Sequence, residues 1–201
     1  MSTEAAKAKA PQRARGVQRV TELLDAAASL FVQKGYDSTT MTEIAQCAGA
    51  SIGSLYQFFP SKEALAEALF GRYVERLSSR LEALIEGAPN LSTKRLADQL
   101  IDLMLEVPSD RDAAVALSSS IAGIVERRKP RRSATRRQIA AILRAANPKL
   151  AEKAAAEAAA LIAQVLKIVP ILAKEEQDGL HALVAQARQM LTAYIERVIK
   201  R

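Results

Sequence analysis

The sequence predicts an all-α protein of about nine helices. Apolar residues recur at i, i+3, i+4 and i+7 through most of the chain, as in Val20, Leu23, Leu24, Ala27, Leu30 and Phe31. Glycines, prolines and capping residues punctuate these stretches at helix-sized intervals. Strand signals are missing: there are no alternating Val/Ile/Thr runs and no Asn-Gly or Asp-Gly turns. The aromatics add a division. Seven of the eight lie between Phe31 and Tyr73, and only Tyr194 lies outside, so two regions with different tasks are expected.

The first helix is expected over Val17–Lys34, ended by Gly35. Thr40-x-x-Glu43 fits a capping box and starts a short helix from Met41 to about Ala48, which Gly49 ends. Ser51 caps the next, Ile52 to Phe59, and Pro60-Ser61 separates it from a long helix over Lys62 to about Glu86. Gly87-Ala88-Pro89-Asn90 breaks the chain. Further helices are expected over 92–106, 110–128 (closed by Lys129-Pro130) and 132–146. Asn147-Pro148 reads as an Asn cap followed by proline at the first helical position. That helix reaches Val169, where Pro170 kinks or ends it, and a last one covers about 176–200.

Composition narrows the function classes. Hydrophobic content is 49% and charged content 25%, an ordinary globular mix. No run of 18 apolar residues is present, and the N-terminus lacks the apolar core of a signal peptide. The single cysteine, Cys47, precludes an intrachain disulfide and fits a reducing compartment, so a cytoplasmic protein is expected. There is no Gly-rich phosphate loop and no Ser/His/Asp pattern. His181 has no second ligand at metal-binding spacing, so neither an enzyme, a cofactor nor a metal site is expected. The net charge of +7 is localised. Residues 1–20 hold five basic residues against one acidic, and residues 126–144 hold eight against one. A basic arm over residues 1–16 is read as flexible, and either meets an anionic partner, most often nucleic acid, or is a solvated tail.

The stretch 41–59 reads as a helix-turn-helix over a domain of residues 17–63. Ala45 is small where the second short helix crosses the first, and Gly49 suits the positive φ of a tight turn. Ile44, Ala48, Ala50 and Leu55 face inward with Val20, Leu24 and Phe31. Ile52, Gly53, Ser54, Gln57 and part of Tyr56 face outward, small or polar enough for a major groove. Phe59 is expected in the core and Phe58 partly exposed. Read from periodicity alone, the same residues also describe a plain three-helix core with aromatics as filler.

The landmarks G-Y-D-S-T-T, then I-A-x-x-A-G-A-S, then G-S-L-Y-x-x-F-x-S-K-E-A-L resemble the DNA-binding domain of the TetR family of transcriptional regulators, over about residues 17–70. The resemblance implies an all-helical homodimer whose C-terminal domain, here residues 64–201, binds a small molecule or partner. Carried over, it makes Thr40, Thr42, Ser54, Tyr56 and Lys62 phosphate contacts of double-stranded operator DNA. Ile52, Gly53, Ser54 and Gln57 would lie nearest the bases. Phe58 replaces the commoner Tyr or His, and Thr42 stands where many members carry a basic residue. The Arg13, Arg15 and Arg19 arm is placed to compensate.

For the C-terminal region the residues speak alone. The Ala-rich helix 148–169 and the helix 176–200 are expected to pair with their copies in a four-helix dimer interface. A ligand cavity would be walled by Leu100, Ile101, Met104, Leu117, Ile121, Ile124 and Ile142, with Ser118, Ser119 and Ser120 as polar groups. Those walls suit a small apolar effector, neutral or anionic. The basic 127–137 stretch is open to three readings: a solvated loop, a second anion contact, or a rim for an acidic ligand. The function expected is a ligand-responsive repressor. The alternative is a DNA-binding regulator without a small-molecule ligand, either an activator, an architectural factor or the target of a protein partner.

Overall fold

The computed structural model describes the backbone of residues 4–105, 122–177 and 182–200, and the side chains of 14–105, 133–175 and 182–200. Among these residues there is no strand. The described residues form eight α-helices: α1 (Glu4–Lys34), α2 (Met41–Cys47), α3 (Ile52–Phe58), α4 (Lys62–Gly87), α5 (Thr93–Leu105), α6 (Ala122–Ala146), α7 (Glu152–Gln177) and α8 (Leu183–Ile199). A single 3₁₀ turn, Ala88–Asn90, follows α4.

The chain divides into two compact units. The first comprises residues 1–73 and 109–125, and the second comprises 74–108 and 126–201. In the first unit, α1 begins at Glu4, thirteen residues before the expected Val17. Its end is as expected: Gly35 takes φ +80° and its N–H donates to the Phe31 carbonyl at 3.1 Å. A residue with a side chain is strained in that conformation, so glycine stops the helix at little cost. Leu23, Leu24, Ala27, Ala28 and Phe31 of α1 are buried, with Ile44 and Ala45 of α2, Leu55 of α3, Phe59, and Leu65, Ala66, Leu69 and Phe70 of α4. Phe59 is inside and Phe58 is 38% exposed, the division expected from sequence. Ala48, Ala50 and Val20 are only half-buried.

In the second unit, α5, α7 and α8 pack on one another. Their shared core contains Leu96, Leu100 and Ile101 of α5, Ile139, Ile142 and Leu143 of α6, and Ala155, Ala159, Ile162, Leu166 and Val169 of α7. Val184, Leu191 and Ile195 of α8 complete it. The alanines let α7 approach its neighbours closely. Residues 152–175 are long and apolar enough to cross a membrane by length and composition. The inner side of this helix instead fills the core.

Besides the early start of α1, the chain departs from expectation at two prolines, Pro130 and Pro148. Pro130 does not close a helix: α6 runs through it to Ala146. At Pro170, expected to kink or end its helix, α7 does not end and continues to Gln177. A mid-helix proline forfeits one hydrogen bond and crowds the carbonyl four residues back, a cost of about 3 kcal/mol. Partial burial of Leu172 and Ala173 beyond Pro170, and burial of Ile139, Ile142 and Leu143 beyond Pro130, offsets that cost. Asn147-Pro148 is a turn and not a helix start, since α7 begins at Glu152. The Asn147 side chain accepts from the Lys149 N–H at 2.9 Å and donates to the Ile199 carbonyl at 2.7 Å, which ties the turn to the end of α8.

Candidate nucleic-acid interface

The short helices α2 and α3 are each held by a side-chain cap at the N-terminus. At α2 the box is complete: the Glu43 N–H donates to Thr40 Oγ1 at 3.2 Å, and the Thr40 N–H donates to Glu43 Oε2 at 2.9 Å. Glu43 also receives the Lys34 ammonium at 2.6 Å, so the end of α1 is fastened to the start of α2. That lysine and the Thr40 bonds hold the Glu43 carboxyl down at about 2. At α3, Ser51 Oγ accepts from the Ser54 N–H at 3.1 Å. Between them Gly49 takes φ +60°, and the Ala50 N–H donates to the Ala45 carbonyl at 2.9 Å. Seven-residue helices are too short to persist alone, and α2 and α3 pack on each other through that turn.

Burial of Leu55 fixes which face of α3 is presented. Its side chain is fully buried, so Ile52, Gly53, Tyr56 and Gln57 point outward. Ile52 is 40% and Tyr56 50% exposed, large values for apolar and aromatic side chains. Ser54 is half-buried, and Thr40 and Thr42 are exposed on α2. Seven of the eight expected DNA contacts (Thr40, Thr42, Ile52, Gly53, Ser54, Tyr56 and Gln57) therefore lie on α2, α3 or the α2 cap, with none fully buried.

Lys62 is the departure. Its ammonium donates to the carbonyls of Tyr36 at 2.9 Å, Thr39 at 3.0 Å and Asp37 at 3.3 Å, and lies 4.4 Å from the centre of the Tyr36 ring. Its three N–H groups thus each have a carbonyl acceptor within the protein. Tyr36, also missed as a site residue, donates its phenol to Glu63 Oε1 at 3.2 Å. Burial first, then the Glu63 charge, pushes the phenol up to about 12. Arg19 is not a free arm residue either. It pairs with Glu22 at 2.9 Å and donates to the Ala48 carbonyl at 3.4 Å, on the C-cap of α2. Nothing local in the sequence signals either contact, since the partners lie 23 to 29 residues away.

Of the residues expected to wall a ligand cavity, the four described ones all belong to the core of the second unit. Leu100, Ile101 and Ile142 are fully buried in the core of the second unit, and Met104 is half-buried against it. Leu117 and Ile121, Ser118 to Ser120, and the Ile124 side chain lie outside the described residues, as does His181. So do the side chains of Arg127 to Arg132 in the basic stretch. Sequence reasoning also missed Arg188 of α8, which donates to Asp98 at 3.4 Å and Asp102 at 2.5 Å on successive turns of α5. Among the described residues no three His, Cys, Asp or Glu side chains come together as metal ligands. Cys47 is exposed at the end of α2.

Residues 23–69 match the family model for bacterial regulatory proteins of the tetR family. The HTH-type transcriptional repressor KstR2 of Rhodococcus jostii (strain RHA1) is 33% identical over 99 residues, covering 49% of this chain and 48% of that protein. The A-factor receptor protein of Streptomyces griseus is 37% identical over 81 residues, covering 38% of this chain and 29% of that protein. The matched part thus spans about half, or less, of the length of these curated relatives. The fold likeness is longer. The crystal structure of a TetR-like transcriptional regulator from Rhodococcus sp. RHA1 superposes with a TM-score of 0.60 over 89% of this chain and 94% of that one, at 24% identity.

Proposed function

This chain carries the N-terminal domain of the TetR family of bacterial regulators, and from that premise we propose that it is a transcriptional repressor acting as a homodimer on a palindromic operator. The observation that carries the reading is the outward face of α3. Ile52, Gly53, Tyr56 and Gln57 stand exposed on a helix whose opposite side is pinned by buried Leu55. Gly53 meets nothing within 4 Å where a Cβ would sit, so that point of the face is open to a close neighbour. In this reading Gln57 bonds a base edge, Ile52 lies against a thymine methyl, and Tyr56, Ser54, Thr40 and Thr42 bond phosphates. One seven-residue helix is a small surface for tight specific binding, so two copies on inverted half-sites are required.

The second copy has a suitable surface. On α7, Leu161, Gln164, Ile168 and Ile171 are all exposed at spacings of three, four and three. That is the seam spacing of interdigitating helices. Met190 is 53% exposed on α8, in line with exposed Gln186, Ala193 and Arg197. Of the apolar residues of α8, Val184, Ala187, Leu191 and Ile195 are used in the core of the second unit.

Release by a small molecule, apolar and neutral or anionic, completes the proposal. The aliphatic composition of the second unit supports it, and so does the likeness to a protein named as the receptor for A-factor. Such a ligand acts only through its differential affinity for two states, and α4, which contributes residues to both units, is the element through which it would act. Selection of DNA fragments on the purified protein tests the first part: inverted half-sites bound by a dimer are expected, and tight binding of a monomer to one half-site would refute it. Fatty-acid-like anions and lipophilic cations compared for release from that DNA test the second. Release by cations alone refutes it.

A further inference from the structure

Lys62 is the first residue of α4, where the positive end of the helix dipole disfavours a cation. Its stem turns back over the 36–39 loop instead. There its ammonium meets three converging carbonyls, of Tyr36, Asp37 and Thr39, and the face of the Tyr36 ring. Three N–H donors and three acceptors leave none for a ligand. The loop is tightly satisfied around it. The buried Thr39 hydroxyl donates to the Gly35 carbonyl at 2.8 Å, the Thr39 N–H donates to the Tyr36 carbonyl at 3.3 Å, and the Tyr36 phenol returns to Glu63 on the first turn of α4. The last clamped carbonyl belongs to Thr39, one residue before Thr40, the N-cap of α2.

We propose that Lys62 is a positioning residue, clamping the start of α4 to the 36–39 loop and so setting where α2 begins and how α3 is presented to DNA. This rests on the DNA-binding reading above and reassigns one of its residues. A phosphate oxygen would have to displace a carbonyl at 2.9–3.3 Å to reach the ammonium. Movement at the N-terminus of α4 is passed to α2 through the same three bonds.

The test pairs Lys62→Met, which keeps the apolar stem and removes the charge, with a measurement on the unaltered protein. Lys62→Met lowers affinity for operator and non-operator DNA by the same factor, and leaves the slope of log affinity against log salt unchanged. It also lowers the Tm of the DNA-free protein by roughly 4–8 °C, the scale for losing charge-assisted bonds in a chain of this size. In the unaltered protein without DNA, Lys62 resists acetylation by acetic anhydride while exposed lysines react. A phosphate contact predicts the opposite: a slope reduced by about one unit per subunit, an unchanged Tm, and acetylation that only DNA blocks. A reduced slope, an unchanged Tm or rapid acetylation of the free protein each overturns the clamp. If the unaltered protein shows no salt-dependent DNA binding, the regulator reading fails, and Tm and acetylation still decide the clamp.

Discussion

Glu43 takes the Lys34 ammonium on one carboxylate oxygen at 2.6 Å and the Thr40 backbone N–H on the other at 2.9 Å. One side chain therefore caps α2 and fastens it to the end of α1.

The pH dependence of this corner follows in sign from the depressed carboxyl. With the folded value at about 2 and the ordinary one at 4.5, the contribution of Glu43 is fully present above the ordinary carboxylate range and is lost as pH falls towards 2. The difference in Tm between the protein and its Glu43→Gln variant should be constant from pH 5 to 7 and shrink steadily below about pH 4. A constant difference down to pH 2 would show that the charge is not involved. Thr40→Ala, which removes the reciprocal cap, should cost about 1 kcal/mol by urea unfolding.

On DNA, the two exposed residues Tyr56 and Gln57 should separate. Tyr56→Phe weakens binding to all sequences alike, because a phosphate carries no base information. Gln57→Ala changes preference at one base pair, by roughly 1–3 kcal/mol if the contact is bidentate. Competition binding against single-base operator variants measures both. An unaltered preference in the Gln57 variant would move the base-reading face elsewhere on α3.

The exposed seam of α7 gives a prediction about assembly. Ile168→Glu and Ile171→Glu place charges on a surface already 45% and 57% exposed, so the folded subunit should tolerate them. The dimer should not, because an unpaired charge in a closed helix seam is strongly unfavourable. Sedimentation should show monomers with unchanged helical circular dichroism, and operator affinity should collapse. Dimers that persist in both variants would place the interface elsewhere.

In the second unit the bond from Arg188 to Asp98 and Asp102 crosses from α8 to α5, with the arginine side chain 27% exposed. Arg188→Met keeps most of the stem and should destabilise by about 1–3 kcal/mol, the range for hydrogen bonds to charged groups. Asp98 is held below the ordinary carboxylate range, first by Lys94 and then by Arg188. The loss should therefore be largest above that range and fade as pH falls through it. Equal stability at pH 7 in urea would mean that solvent replaces the pair without cost.

The sequence by itself determined what depends on neighbours along the chain. The stop at Gly35 and the turn at Gly49 follow from the conformations that only glycine adopts freely, φ +80° and +60° here. The Thr40–Glu43 box and the Ser51 cap follow from side chains three residues from their targets. The buried side of α3 follows from helical spacing, and with it the exposure of Tyr56 and Gln57. The tertiary structure alone decided outcomes that rest on distant partners. Lys62 looked like a cation free for phosphate at the start of a helix, yet its acceptors lie 23 to 26 residues back. Arg188 showed no purpose until α8 lay along α5. Pro130 read as a helix end, and Pro170 as an end or a kink, because local physics sets a cost of about 3 kcal/mol for each. Whether a helix bears that cost depends on how much apolar surface it buries beyond the proline. That area is a property of the packed core, which no window of neighbouring residues contains.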